Sequence, residues 1–109
     1  MDIEQVKTLI RQKQYKTSHH AEVEREAETI TIDDIKTAVL NGELLEDYPD
    51  DPRGHSCLMS GTAEDKRPLH IVLTILTQIE QVLIITVYIP IQPKWLDPRT
   101  RAPRKSANE

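Results

Sequence analysis

The sequence predicts an α+β domain, with two to three N-terminal helices packed on a four-stranded antiparallel sheet. Three observations lead to that class. Residues 1–42 carry apolar side chains at helical spacing between recognisable caps. The stretch Pro68–Pro90, PLHIVLTILTQIEQVLIITVYIP, is rich in β-branched residues and has no internal Gly or Pro. Between these two regions lie two shorter segments bounded by turn residues. Helices first and strands afterwards is the order of a domain whose helices sit on one side of an antiparallel sheet.

Asp2–Gln14 reads as an amphipathic packing helix. Ile3, Val6, Leu9 and Ile10 share one face, Asp2 is a suitable N-cap, and Glu4, Arg11 and Lys13 complement the helix dipole. Tyr15–Thr17 reads as a connector. A second helix starts after Thr17 or Ser18 and runs through HHAEVEREAE, with Val23, Ala27 and Ile30 as its expected buried stripe. His19 and His20 flank that stripe on its two sides. Adjacent helical residues do not face one another, so the pair is a poor metal clamp. The third helix is TIDDIKTAVLNG, with Thr31 as N-cap, Asp34 completing a capping box, and Ile32, Ile35, Val39 and Leu40 as its apolar face. Asn41-Gly42 closes it, and Gly42 suits a left-handed position.

Glu43–Tyr48 is the first expected strand, PDDPRG a turn, and His55–Gly61 the second strand. The second strand sets Cys57 and Met59 on one face and Ser56, Leu58 and Ser60 on the other. Leu69–Thr77 and Gln81–Ile89 then form a hairpin around Gln78-Ile79-Glu80. A single helix of this length would just span a bilayer, but Gln78, Glu80 and Gln81 would fall near its middle, at a cost of several kcal/mol for the carboxylate. A soluble helix is the other alternative, disfavoured by the β-branched runs.

With a three-residue loop, Thr77 pairs with Gln81, Leu73 with Ile85, Val72 with Thr86 and His70 with Tyr88. One face then carries His70, Val72, Thr74, Ile84, Thr86 and Tyr88. The other carries Leu69, Ile71, Leu73, Ile75, Leu83, Ile85, Val87 and Ile89, and should bury against the helices. A two-residue turn would slip this register. From Pro90 onward, four prolines (Pro90 and three in IQPKWLDPRTRAPRKSANE) disfavour regular structure, and Trp95 and Leu96 are expected to dock on the sheet. The domain should therefore span residues 1–98, with a flexible basic tail at residues 99–109.

Composition narrows the function. At 109 residues the chain is one domain. Its single cysteine, Cys57, excludes an internal disulfide and a multi-cysteine zinc site. The acidic, polar start carries no signal-peptide pattern, so a cytoplasmic location and no membrane are expected. Net charge is −4, but Lys94–Glu109 holds five basic and two acidic residues, leaving the body acidic. An acidic body argues against broad nonspecific nucleic-acid binding, though not against a small basic site.

No cofactor is expected: the sequence has no phosphate-binding Gly loop, no HExxH and no nucleophile elbow. Glu43, Glu46, Asp47, Asp50 and Asp51 match no calcium-loop spacing and read as a solvated turn. Cys57 would be a nucleophile only beside a base. The constellation with chemistry in it is His70 with Tyr88 and Arg67, joined by His20 from the second helix. An imidazole moves a proton near neutral pH, a phenol can relay one, and a guanidinium can hold a pentavalent phosphate. That set suits metal-free RNA cleavage by the 2′-hydroxyl. The plainer alternative is an ordinary cross-strand pair beside a loop charge.

Several segments together resemble a bacterial domain-of-unknown-function family. They are His20-Ala21; Ile30–Gly42; Glu46–Leu58, with its Glu-x-Tyr-Pro-Asp-Asp and Ser-Cys-Leu; Arg67-Pro68-Leu69-His70; and Ile84–Pro90 with Lys94-Trp95. That family is similar to the RelE/BrnT-like toxins of toxin–antitoxin pairs. The resemblance implies a small α+β endoribonuclease fold and a neutralising partner, such as a zinc-finger protein of the MqsA type. Under it, Arg53, Lys94, Trp95 and Arg99 are candidates for contacting RNA or that partner.

Overall fold

A computed structural model describes residues 1–91 and 95–101, the latter without the side chains of residues 95–97 and 101. Three helices, α1 (Ile3–Arg11), α2 (His19–Ala27) and α3 (Ile32–Asn41), cover one face of a mixed sheet. The sheet contains β1 (Tyr15–Thr17), β2 (Glu43–Tyr48), β3 (Ser56–Thr62), β4 (Pro68–Leu76) and β5 (Gln81–Tyr88), in the order β1-β5-β4-β3-β2. Two further short strands, β6 (Trp95–Asp97) and β7 (Thr100–Arg101), pair with each other. Regular pairing thus resumes in a segment where the prolines disfavoured it.

The sheet has five strands rather than the expected four, and it is not wholly antiparallel. Tyr15–Thr17, expected as a connector, is a strand parallel to β5, with Tyr15 opposite Val82 and Thr17 opposite Ile84. The chain reaches it because α1 ends early. Lys13 takes a positive φ of 59°, which turns the backbone back along the sheet.

The helix caps follow local chemistry. Asp2 accepts from the Gln5 amide, Ser18 from the Ala21 amide, and Thr31 with Asp34 forms a full capping box. Gly42 differs from expectation: its φ of −86° is ordinary extended backbone. Glycine is needed there for space, since a Cβ would stand 2.5 Å from the Ala38 carbonyl oxygen. Gly61 of β3 is tighter still, its virtual Cβ 1.9 Å from the same oxygen. The end of α3 therefore lies directly on β3, and Asn41 seals the contact by pairing with both the Thr62 amide and carbonyl.

The core is aliphatic. Val6 and Ile10 of α1 and Ile35, Ala38 and Val39 of α3 pack on Met59, Ile71, Leu73, Val82, Ile84 and Val87. Of the stripe expected for α2, Ile30, just past the helix end, is buried as expected, but the two helical members are not. Val23 is 53% exposed and Ala27 is also exposed, while Ala21 is its buried residue.

The hairpin register carries the site. Near the turn, Leu76 pairs with Gln81 and Leu73 with Ile84, one residue off the expected register. The turn is Thr77–Glu80, with Glu80 at a φ of 50°, so Thr77 has no partner in β5. A β-bulge at Ile85 then absorbs one residue, after which Val72 pairs with Thr86 and His70 with Tyr88, as expected. The bulge reverses the faces below it: Val82 and Ile84 join the helix-side core in place of Leu83, while Ile85 at the bulge is buried but outside that cluster.

Candidate functional site

Side chains alternate across a strand, so the residues between the core positions point away from the helices. By register they form rows across β2–β3–β4–β5. The row Glu43–Ser60–His70–Tyr88 is polar throughout; the next is Glu46–Leu58–Val72–Thr86. A carboxylate, a hydroxyl, an imidazole and a phenol thus lie in one line on the face opposite the helices.

His70 is fully buried and Tyr88 half-buried. Their rings meet edge to face with centroids 5.3 Å apart, and His70 Nδ1 is 3.2 Å from Tyr88 Oη. On its other side His70 Nε2 lies 2.5 Å from the Pro98 carbonyl oxygen, which also accepts from Ser60 Oγ at 3.4 Å. Pro98 belongs to the β6–β7 turn, and its neighbour Arg99 forms an ion pair with Glu43. Among the described contacts, the C-terminal hairpin is therefore tied to Glu43, Ser60 and His70 of the row. A cavity of about 310 Å³ opens beside it, lined by Glu43, Ser60, Gly61, Pro98 and Arg99 among others.

Arg67 is placed elsewhere. Its Nε donates to Asp65 at 2.8 Å, its Nη2 to Asp34 at 3.0 Å, and its remaining donors reach the carbonyls of Glu28 and Thr29 at 3.0 and 3.1 Å. That is a clamp between the start of β4 and the α2–α3 loop, on the helix side of the sheet.

His20 is 70% exposed and lies 3.3 Å from Glu24. Glu24 does more than hold His20: it accepts from Thr86 Oγ1 and from the Val87 amide. Strand β1 stops at Thr17, which leaves the outer edge of β5 open. Ser18 Oγ donates to the Ile85 carbonyl and Glu24 takes the Val87 amide, so α2 completes the edge with side chains. This explains why α2 turns a glutamate towards the sheet and leaves Val23 outside. The described contacts bring His70 and Tyr88 together and give Arg67 and His20 other partners.

Arg53 pairs with Asp51 at 2.9 Å in the β2–β3 turn and is 62% exposed. Arg99 is on Glu43. Lys94 lies outside the described residues, as do the side chains of Trp95 and Leu96 and the tail at residues 102–109. Glu43, Ser60, Pro98 and Glu24 are the neighbours that sequence reasoning missed. Alternation in β3 put Ser60 on a face but did not tell which strand it would meet.

Glu46, Asp47 and Asp51 of the acidic segment have local partners. Asp47 binds His55 at 2.6 Å, Glu46 accepts from Tyr48, and Asp51 accepts from Ser56 Oγ at 2.7 Å as well as from Arg53. The hydrogen bonds from Arg53 and Ser56 hold the Asp51 carboxyl far below the usual range. His55 and the N-terminal ammonium lower Asp47 as well. Among the described residues no group of three metal-ligating side chains converges. Cys57 is fully buried, and burial with the nearby Asp47 pushes its thiol up to about 12, the opposite of an activated nucleophile. No described helix is long and apolar enough to cross a membrane.

Comparison with curated proteins and with solved structures finds no match. Comparison with family models does: residues 17–89, which include α2, α3, β2–β5 and the His70–Tyr88 pair, match a domain of unknown function, DUF4258, and the chain belongs to that family.

Proposed function

We propose that the protein is a small toxin-like endoribonuclease, of the RelE/BrnT kind, that cleaves RNA without metal. The observation that carries this reading is the His70–Tyr88 pair: a buried imidazole 3.2 Å from the hydroxyl of a half-buried tyrosine, on the sheet face opposite the helices. The motif resemblance supports the same class. Tyr88 is the group that meets substrate, and His70 works behind it.

In the proposed step the ribose 2′-oxygen attacks the adjacent phosphorus. The 2′-hydroxyl proton passes to Tyr88 Oη as the phenolic proton passes to His70 Nδ1. The bond from phosphorus to the 5′-oxygen breaks, leaving a 2′,3′-cyclic phosphate. The departing 5′-oxygen takes a proton from water, and the resulting hydroxide removes the proton on Tyr88 Oη as His70 Nδ1 returns one to that oxygen, which restores the phenol and the neutral imidazole. General acid–base transfer of this kind is worth roughly 10²–10⁴-fold. Arg67 takes no part, being committed to Asp34 and Asp65. A small zinc-finger protein of the antitoxin type is the partner this reading implies.

Expression in a bacterium tests it. Wild type should arrest growth, and His70→Ala and Tyr88→Phe should each relieve the arrest while the protein accumulates folded. Equal behaviour of wild type and both variants would end the catalytic proposal.

A second reading is favoured by charge: with net charge −4 and the basic excess confined to the C-terminal segment, the body repels a polyanion. On that reading the chain is a non-catalytic module that binds a protein partner. A stable complex with a neighbouring gene product, without toxicity in its absence, is its expected result.

A further inference from the structure

The C-terminal hairpin does more than cover the sheet. A carbonyl oxygen only accepts, so the 2.5 Å contact with Pro98 requires His70 Nε2 to carry a hydrogen. In the neutral ring the lone pair then belongs to Nδ1, which stands 3.2 Å from Tyr88 Oη, and the phenol must be the donor. In the other tautomer Nδ1 would hold the hydrogen and could accept nothing. His70 is 0% exposed, so water does not substitute at either nitrogen without rearrangement.

We propose that the Pro98 carbonyl is the positioning group of this site: it fixes the proton of His70 on Nε2 and so makes Nδ1 the acceptor for the Tyr88 proton. The Glu43–Arg99 ion pair and the Ser60 hydroxyl hold that carbonyl at Nε2. The catalytic consequence rests on the ribonuclease reading; the placement of the proton does not. When the phenolic proton arrives at Nδ1, the ring becomes an imidazolium whose Nε2–H already points at a carbonyl. The charge forms where an acceptor waits, as an orienting acceptor does behind a catalytic histidine in hydrolytic triads. No bond to Pro98 forms or breaks. The hairpin is thus a working part of the site, supplied from a segment outside the matched family region of residues 17–89.

The test uses the full chain, labelled with ¹⁵N at histidine, above the pH at which free imidazole titrates. Wild type should show His70 as a single tautomer, with Nε2 protonated and Nδ1 bare. Arg99→Gln should move both nitrogens towards tautomer averaging. It should also lower kcat on RNA roughly tenfold to a hundredfold, the scale of a misplaced catalytic group, with KM within about twofold. Arg99→Lys, which keeps the ion pair, should restore most of both signals, and Ser60→Ala should give an intermediate shift. A wild-type ring protonated on Nδ1 overturns the proposal. So does an Arg99→Gln ring, in a folded protein, whose nitrogens do not move. If no form cleaves RNA while the tautomer behaves as stated, the ribonuclease reading fails and the assignment of the proton stands.

Discussion

Replacing Arg67 with alanine should destabilise the protein by about 2–3 kcal/mol and leave the His70–Tyr88 geometry intact. The magnitude follows from its partners. The carbonyls of Glu28 and Thr29 belong to exposed residues, so water replaces the guanidinium there at about 0.5 kcal/mol each. Asp65 is 57% exposed, and its share of the ion pair is small. Asp34 dominates. It is only 13% exposed, and without Arg67 it retains the Thr31 amide as its described donor, at a cost of about 1.5 kcal/mol. Urea unfolding followed by circular dichroism measures the change, and the Tm should fall by roughly 10 °C. Arg67→Lys should recover less than half, because one ammonium cannot span two carboxylates and two carbonyls. The reasoning is refuted if Arg67→Ala unfolds at the wild-type midpoint, and doubly so if it also abolishes RNA cleavage, which would make Arg67 the phosphate-holding cation after all.

Three further outcomes are expected. Gly61→Ala should cost about 3 kcal/mol or prevent folding, because the new methyl would stand 1.9 Å from the Ala38 carbonyl and α3 must lift from β3; a change below about 0.5 kcal/mol in the same unfolding assay would contradict that contact. Native Cys57 should resist a thiol reagent and react at the wild-type unfolding rate, since its thiol is buried and raised to about 12; prompt labelling of the native protein would show the burial to be wrong. Glu22 is held down to about 2, first by its hydrogen bond from Arg25 and then by that from Thr17. A carboxyl whose folded value lies below its unfolded one stabilises the fold above the unfolded value and loses that contribution as pH falls towards the folded value. Stability should therefore drop between about pH 4 and about pH 2, and Glu22→Gln should flatten the drop.

The parts of the fold that were legible in the sequence are those that local chemistry decides. Asp2, Ser18 and Thr31 announce their helices because a side-chain oxygen three residues before an unpaired amide has one obvious use. The β-branched runs of β4 and β5 announce strands. The His70–Tyr88 pair was reached through two errors of opposite sense: the turn is one residue longer than assumed, and the bulge at Ile85 takes that residue back. Nothing in LIIT marks a bulge, so the face swap of Leu83, Ile84 and Ile85 was not readable.

What stayed hidden depends on distant partners. Tyr15–Thr17 is too short to show alternation and becomes a strand only because β5 offers it an edge. Val23 breaks the helical pattern because Glu24 is required at that edge instead. Arg67 sits three residues from His70, and sequence proximity suggested a shared site; the side chain turns the other way because Asp34 and two helix-terminal carbonyls lie there. Pro98 could not be placed at His70 Nε2 without knowing where the chain goes after Pro90.

The claim on which the account turns is that a phenol backed by a buried imidazole does the chemistry. Incubating purified protein with a short RNA in chelator, and identifying the new ends by mass spectrometry, tests it most directly. Wild type should yield 2′,3′-cyclic phosphate and 5′-hydroxyl ends, and folded Tyr88→Phe should yield neither. Intact RNA with wild type, or identical cleavage by Tyr88→Phe, would contradict it.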